Sequence, residues 1–281
     1  MKLLRVGPVG RERPAVLDGA GNLREISETE IDGAFFASGG VARVREALER
    51  DELPVLDAEG MRIGAPIARP GKIVCIGLNY VDHAAETNAA TPAEPIIFMK
   101  APNTVVGPND EVLIPRDSVK TDWEVELAVV IGETARYVET HEEALSKVAG
   151  YAISNDVSER EFQLERGGQW DKGKSCETFN PLGPWLVTPD EIPDPQALGL
   201  RLWVDGERFQ NGDTKNMIFT VAEVIRYLSR FMVLEPGDLI NTGTPAGVAL
   251  GLPGTPYLRA GQVVELEIDG LGRQRQTMGQ A

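Results

Sequence analysis

In the stretch DWEVELAVVIG, acidic and apolar side chains alternate before giving way to an unbroken apolar run. Residues two apart on a strand face the same way, so Glu124 and Glu126 are predicted to project together, with Val125 and Leu127 on the opposite, apolar side. The nearby AGYAISNDVSE predicts a second strand, YAIS, that delivers Asp156 at its end, on the kind of connecting segment that often carries chemistry. Elsewhere the pattern predicts hairpins in LRLWVDGERFQ, turning at Asp205 and Gly206, and in VVELEIDGLGRQRQ. Helices are signalled by capping boxes, Thr140 with Glu143 and Thr220 with Glu223. In the second, Val221, Val224, Ile225 and Leu228 make a packing stripe at helical spacing. The amino-terminal region has short extended pieces, LLRVG, AVLDG and LREIS, followed by a helix-like VARVREALER. Prolines and glycines cluster in IGAPIARPGK, which places a boundary near residue 68 and divides the chain into a small α+β domain, 1–68, and a larger one, 69–281. Many short strands and few helices predict a mainly β (α+β) fold rather than an alternating doubly wound sheet.

Composition narrows the functional classes. The chain has 281 residues, 42 % of them hydrophobic, enough to bury a real core. A formal charge of -15 opposes binding to nucleic acid and to anionic membranes. The start MKLLRVGPVGRERP lacks a signal-like apolar run, and no segment approaches the roughly 20 apolar residues of a membrane span, so a cytoplasmic location is expected. Of the two cysteines, Cys75 is expected in the core and Cys176 is ambiguous; no disulfide framework is implied. The glycines of TGTPAGVALG follow a strand but lack the Lys-Ser/Thr pair of a phosphate loop.

Two adjacent carboxylates repel and call for a positive partner. An oxygen-only cluster of Glu124, Glu126 and Asp156 suits a hard cation such as Mg2+ or Mn2+, and the alternative is a solvated strand face. His141 falls in the first turn of a capped helix and reads as surface. His83, in GLNYVDHAAETN, has Glu86 three residues on; a helix would put both on one face, either as a proton-accepting pair or as a surface salt pair. Lys174, in GGQWDKGKSCETFNPLGPW, could hold a substrate carboxylate or balance developing negative charge, but spacing does not decide between it and Lys172.

These residues sit in stretches that together resemble the fumarylacetoacetate hydrolase family: IGLNYVDHAAE, PIIFMKAPNTVVGPND, DWEVELAVVIG, YAISNDVSEREFQ, KGKSCETFNPLGPW and LINTGTPAGVALG, spanning Lys72 to about Gly270. The resemblance implies a β-rich fold with a rolled, barrel-like sheet, a Mg2+ or Mn2+ site and a homodimer. It implies that Glu124, Glu126 and Asp156 bind the metal and that His83 and Glu86 activate water from a lid segment around residues 80–95. It further implies that Lys174 is the active-site lysine, that Gln163 lies near the reacting water, and that Arg160, Lys100 and Thr244 line or approach the substrate pocket. Some relatives carry arginine where this chain has Leu78, before Asn79 and Tyr80. The amino-terminal piece MKLLRVGPVGRERPAVLDGAGNLREIS, together with QWDKGKSCETFNPLGPWLVT, looks most like members acting on 2,4-dioxo-3-deoxy sugar acids. The implied activity is metal-dependent carbon–carbon hydrolysis of a 2,4-dioxo acid, an acylpyruvate or such a sugar acid, releasing pyruvate. Alternatives are oxaloacetate decarboxylation, 2-hydroxyhepta-2,4-diene-1,7-dioate isomerisation, ureidoglycolate lysis, or a non-catalytic metal-binding relative.

Overall fold

The alternation at Val125–Ile131 becomes the spine of the molecule. The computed structural model describes residues 1–27, 30–86 and 90–281, and in it this strand is buried along its whole length. Val148–Asn155 pairs antiparallel on one side of it and Leu239–Asn241 on the other. Outward from the first neighbour come Asn180–Val187 and then Lys2–Val6, Arg13–Leu17 and Leu23–Glu25; outward from the second come Ile73–Gly77 and Ile96–Lys100. With the short strands Ile63–Gly64, paired to Lys2–Val6, and Val105–Val106, paired to Asn180–Val187, this makes among the described residues an open eleven-stranded sheet with Leu23–Glu25 and Ile96–Lys100 at its edges, strand-rich as expected and not closed into a barrel.

Period-two alternation assigns each face of the spine to a different layer. Val125, Leu127, Val129 and Ile131 pack toward Leu200, Leu202, Val264 and Leu266 of a second, five-stranded sheet. Ala128 and Val130 face the other way, in the cluster containing Phe35, Phe36 and Val44 of the helices Gly33–Ala37 and Gly40–Glu49. Each fully buried valine or leucine contributes roughly 1.5–3 kcal/mol, so both layers hold the spine firmly. At the start of the strand the second face changes from Ala128 and Val130 to Glu126 and Glu124, and the functional site begins there.

The amino-terminal region is stitched into this sheet, since Lys2 and Leu3 pair with Val187 and Leu186, and the terminal amine donates to Thr188 Oγ1 at 2.7 Å. Hydrogen bonding therefore crosses the boundary expected near residue 68. The hairpins form as the turn chemistry predicts. Val204 pairs with Glu207, and Asp205 and Gly206 both take positive φ (50° and 82°), the backbone of a tight hairpin turn. The helix Val221–Leu228 has the full reciprocal cap, with Thr220 N donating to Glu223 at 2.7 Å and Glu223 N to Thr220 at 3.3 Å. At Thr140 only half of the predicted box forms. Its hydroxyl accepts from Glu143 N at 3.1 Å, but the Glu143 carboxylate reaches one residue further back, to Glu139 N at 3.0 Å.

Candidate active site

Antiparallel pairing brings the carboxylates together. Val125 lies opposite Asn155, and one step beyond, Asp156 N donates to Glu124 O at 2.9 Å, so Glu124 and Asp156 are cross-strand neighbours. Glu126 follows two residues along the same face. Each of the three offers an oxygen within 4.8 Å of the others, and all three are buried.

Cations surround this cluster unevenly. Lys174 Nζ donates to Glu124 Oε2 at 2.9 Å and to Asp156 Oδ2 at 2.8 Å. Lys100 Nζ donates to Asp156 Oδ1 at 2.5 Å and to Val157 O at 3.1 Å. Arg160 places Nη2 2.7 Å from Glu124 Oε1, gives Nε to Asp122 at 2.8 Å and Nη1 to Gln163 Oε1 at 2.9 Å. Glu126 accepts only from Gly243 N, at 2.8 Å, and among the described residues has no cation within ion-pair distance.

Protonation follows from that asymmetry. Burial works to raise the Glu124 carboxyl, but the Lys174 and Arg160 charges outweigh it and hold it well below the usual carboxylate range. For Glu126, burial is joined by repulsion from Asp156 and Glu124, and its carboxyl is pushed well above that range. Burial also opposes the charge on Lys174, yet Asp156 and Glu124 raise its pKa above the ordinary lysine value, so it acts as a fixed cation and not as a base. A buried oxygen-only donor set with one carboxylate short of positive charge fits a hard dication.

Alternation, helix spacing and loop geometry carry the other groups to the same cavity, which encloses about 210 Å3. His83 and Glu86 lie on the short helix Val81–Glu86 with His83 Nδ1 3.4 Å from Glu86 Oε2, as the three-residue spacing predicted. His83, Gln163, Arg160, Lys174 and Thr244 all line the cavity with Glu124 and Glu126. The choice between lysines is resolved by burial. Lys174 is 2 % exposed at the carboxylates, whereas Lys172 is exposed and turns to the Arg166 carbonyl. Lys100, expected to line or approach the pocket, stands behind Asp156 and is absent from the cavity wall, because the edge strand Ile96–Lys100 delivers it to the far side of that carboxylate. His141 is exposed and Cys75 buried, as expected. Of the segment read as a lid, residues 87–89 lie outside the described residues.

Three contributors escaped the sequence reading. Asp122, buried and bonded to Arg160 Nε and to the backbone of Ala249 and Leu250, sits one strand repeat before Glu124; the alternation in DWEVE could have flagged it. The glycine-rich loop after Leu239–Asn241 was dismissed as a phosphate cradle, yet its N–H groups hold carboxylates of the chain itself, Gly243 N to Glu126 and Gly247 N to Glu86 at 2.9 Å. Both glycines have positive φ (99° and 104°), and a Cβ on Gly247 would lie 2.0 Å from Phe209 O. Phe98 and Trp170, which wall the cavity, are packed edge to face at 5.4 Å and come from distant segments that no local pattern links.

A strand-rich fold thus places Glu124, Glu126, a buried lysine and a histidine on one cavity, with Asp156 and Glu86 directly behind them, an arrangement that suits an enzyme with a carboxylate metal site. Residues 72–278 match the fumarylacetoacetate (FAA) hydrolase C-terminal family, and the chain belongs to it. A Burkholderia multivorans protein named only as a hydrolase is 55 % identical over 279 residues, 98 % of each chain. The crystal structure of 2-hydroxyhepta-2,4-diene-1,7-dioate isomerase from Mycobacterium marinum superposes with a TM-score of 0.78 at 33 % identity, covering 100 % of this chain and 98 % of that one. Maleylpyruvate hydrolase from Sphingobium sp. SYK-6, in complex with manganese(II) ion and pyruvate, gives a TM-score of 0.81 at 26 % identity with both chains fully covered (100 %). The family thus spans hydrolases and isomerases. Among the described residues no helix is long and apolar enough to cross a membrane.

Proposed function

We propose that the protein hydrolyses a carbon–carbon bond in a 2,4-dioxo acid, releasing pyruvate, with Mg2+ or Mn2+ held by Glu124, Glu126 and Asp156. The observation that carries this reading is that Glu124, Glu126, Lys174 and His83 line one cavity, with Asp156 grouped with the two glutamates and Glu86 beside His83. When bound, the dication supplies positive charge to the substrate's carboxylate and neighbouring 2-oxo oxygen. Glu86, fixed by Gly247 N, orients the His83 ring, and His83 takes a proton from water as that water adds to the 4-carbonyl. The bond between carbons 3 and 4 then breaks, its electron pair moves to carbon 3, and protonation there yields pyruvate beside the acyl acid. Lys174, held charged by Glu124 and Asp156, faces the negative charge that develops on the pyruvyl half. Gln163, which lines the cavity and is fixed through Arg160, would hold the reacting water in this reading. In the same reading the protein is a cytoplasmic homodimer.

Each such preorganised contact is worth about 3 kcal/mol in the transition state, so Lys174→Ala, His83→Ala and Glu124→Ala should each slow turnover of an acylpyruvate by about a hundredfold or more. Near wild-type rates in all three would remove the proposal. The isomerase neighbour favours a second reading, in which the same charges stabilise an enolate without an activated water, as in isomerisation or oxaloacetate decarboxylation. His83→Ala separates the two: hydrolysis should collapse, whereas a reaction needing no attacking water should survive.

A further inference from the structure

The cavity lining combines a cluster of charged and polar side chains with a group of large apolar ones. Its lysine, its arginine and its hydroxyl are already committed to protein partners. Lys174 is taken by Glu124 and Asp156, and Arg160 by Asp122, Glu124 and Gln163. The Thr244 hydroxyl donates to Val125 O and accepts from Gln210 Nε2. Beside these groups, Phe98 stacks 5.0 Å from the Lys174 ammonium and meets Trp170 at 5.4 Å, and Trp170 lies so close over Gly77 that a Cβ there would sit 2.6 Å from its ring. Leu78, Leu164 and Leu250 complete this wall. Among the described residues no uncommitted cation and no open hydrogen-bonding side chain of Ser, Asn or Tyr lines it. Leu78 holds a left-handed backbone (φ 51°) beside Gly77, at the floor of the same region.

Resting on the reaction proposed above, in which the pyruvyl half occupies the ionic end, we infer that the remaining half of the cavity selects an apolar acyl group, alkyl or aryl, over a polyhydroxylated sugar chain or a second carboxylate. A carboxylate or row of hydroxyls facing this wall would lose water and regain little, the Trp170 indole N–H being the one polar side-chain group among Phe98, Trp170 and the leucines. An alkyl or aryl group would replace water against Phe98, Trp170 and the three leucines. Leu78 and Leu164 are then the specificity-determining positions. This favours simple acylpyruvates over the sugar acids that the amino-terminal resemblance suggested, and it separates this chain from neighbours named for dicarboxylic substrates.

The test compares kcat/KM, with Mg2+, for 2,4-dioxo acids running from acetyl to hexanoyl and benzoyl against a carboxylate-terminated 2,4-dioxo acid of matched length and a 2,4-dioxo-3-deoxy sugar acid. Apolar members should improve by about fourfold per added methylene until the cavity is full and should exceed both polar substrates by about tenfold or more. Leu78→Arg, and separately Leu164→Lys at a position already 43 % exposed and tolerant of charge, should shift the preference toward the carboxylate-terminated substrate. A wild-type enzyme that turns over the diacid or the sugar acid as well as the matched apolar substrate would overturn the inference, as would two folded variants with unchanged preference. If no 2,4-dioxo acid is turned over, the reaction is wrong, and the wall is still tested by calorimetry with Mg2+ present: 2-oxoalkanoates should bind more tightly than 2-oxodicarboxylates of the same length, and the reverse order would refute the apolar subsite.

Discussion

A partly buried charge cluster in the amino-terminal region contrasts with the buried one in the active site, and their difference separates scaffold from site. In the amino-terminal region Arg5 reaches Glu12 at 3.2 Å and Glu30 at 2.7 Å, while Arg62 reaches Glu12 at 2.9 Å and Asp110 at 2.5 Å. Every carboxylate there has a guanidinium at bonding distance. Burial acts to raise the Glu12 carboxyl, but its backbone hydrogen bond and Arg62 prevail, so its pKa is lowered and it stays ionised. In the active site Lys174, Lys100 and Arg160 serve Glu124, Asp156 and Asp122, and Glu126 is left without a cationic partner among the described residues. The first cluster is complete within the chain. The second is short of positive charge at one carboxylate, the place where the proposed metal ion would sit.

Replacing Glu126 should have the largest effect. Glu126→Gln keeps the shape and the bond from Gly243 while removing the charge, and should cut turnover on the order of a hundredfold and weaken the thermal stabilisation conferred by Mg2+. The metal-free variant should melt no lower than wild type, because a destabilised buried charge has gone. A clear loss of metal-free stability would show that Glu126 belongs to the scaffold. Glu12→Gln should do the reverse, costing about 2 kcal/mol in denaturant unfolding by leaving Arg5 and Arg62 underpaired, with kcat unchanged.

The two clusters should also answer acid in opposite senses. Glu12 binds its proton less tightly folded than unfolded, so its stabilisation is present above the ordinary value of 4.5 and is lost as pH falls through its lower folded pKa. Glu126 binds its proton more tightly folded, so its favourable contribution is full below 4.5 and fades as pH rises toward its higher folded pKa, unless Mg2+ is present to pair with the carboxylate. Melts of metal-free wild type and of each Gln variant between acid and neutral pH would show it: Glu12→Gln should flatten the acid limb and Glu126→Gln the neutral one. Identical pH profiles for both variants would erase the distinction. The smallest effect compares the helix caps, where Thr220→Ala should cost about 1 kcal/mol and Thr140→Ala less, since only the former loses a reciprocal pair.

The legible parts of this fold and site are those set by local rules. Strand alternation placed Glu124 and Glu126 together, helical spacing placed His83 beside Glu86, and the Asp-Gly pair marked its turn. The end of the strand YAIS marked Asp156 and its segment marked Lys174 alongside Lys172, while the family's pattern added Arg160, Gln163 and Thr244, all lining the cavity. What stayed hidden depends on approach between distant segments. Lys100 stands behind Asp156 because an edge strand passes there, Phe98 meets Trp170 from 72 positions away in chain order, and the Glu143 carboxylate chose Glu139 over Thr140. No periodicity reports such meetings, since both partners look ordinary in their own neighbourhoods.

The loop from Thr242 to Gly247 grips Glu126 at one end and Glu86 at the other, through Gly243 N and Gly247 N. It therefore works as a caliper, locking the interval between the anchoring end of the cavity and the place where water would be activated. Under the proposed reaction, the position of scission would be counted from the carboxylate end of the substrate and would stay put however long the acyl tail becomes.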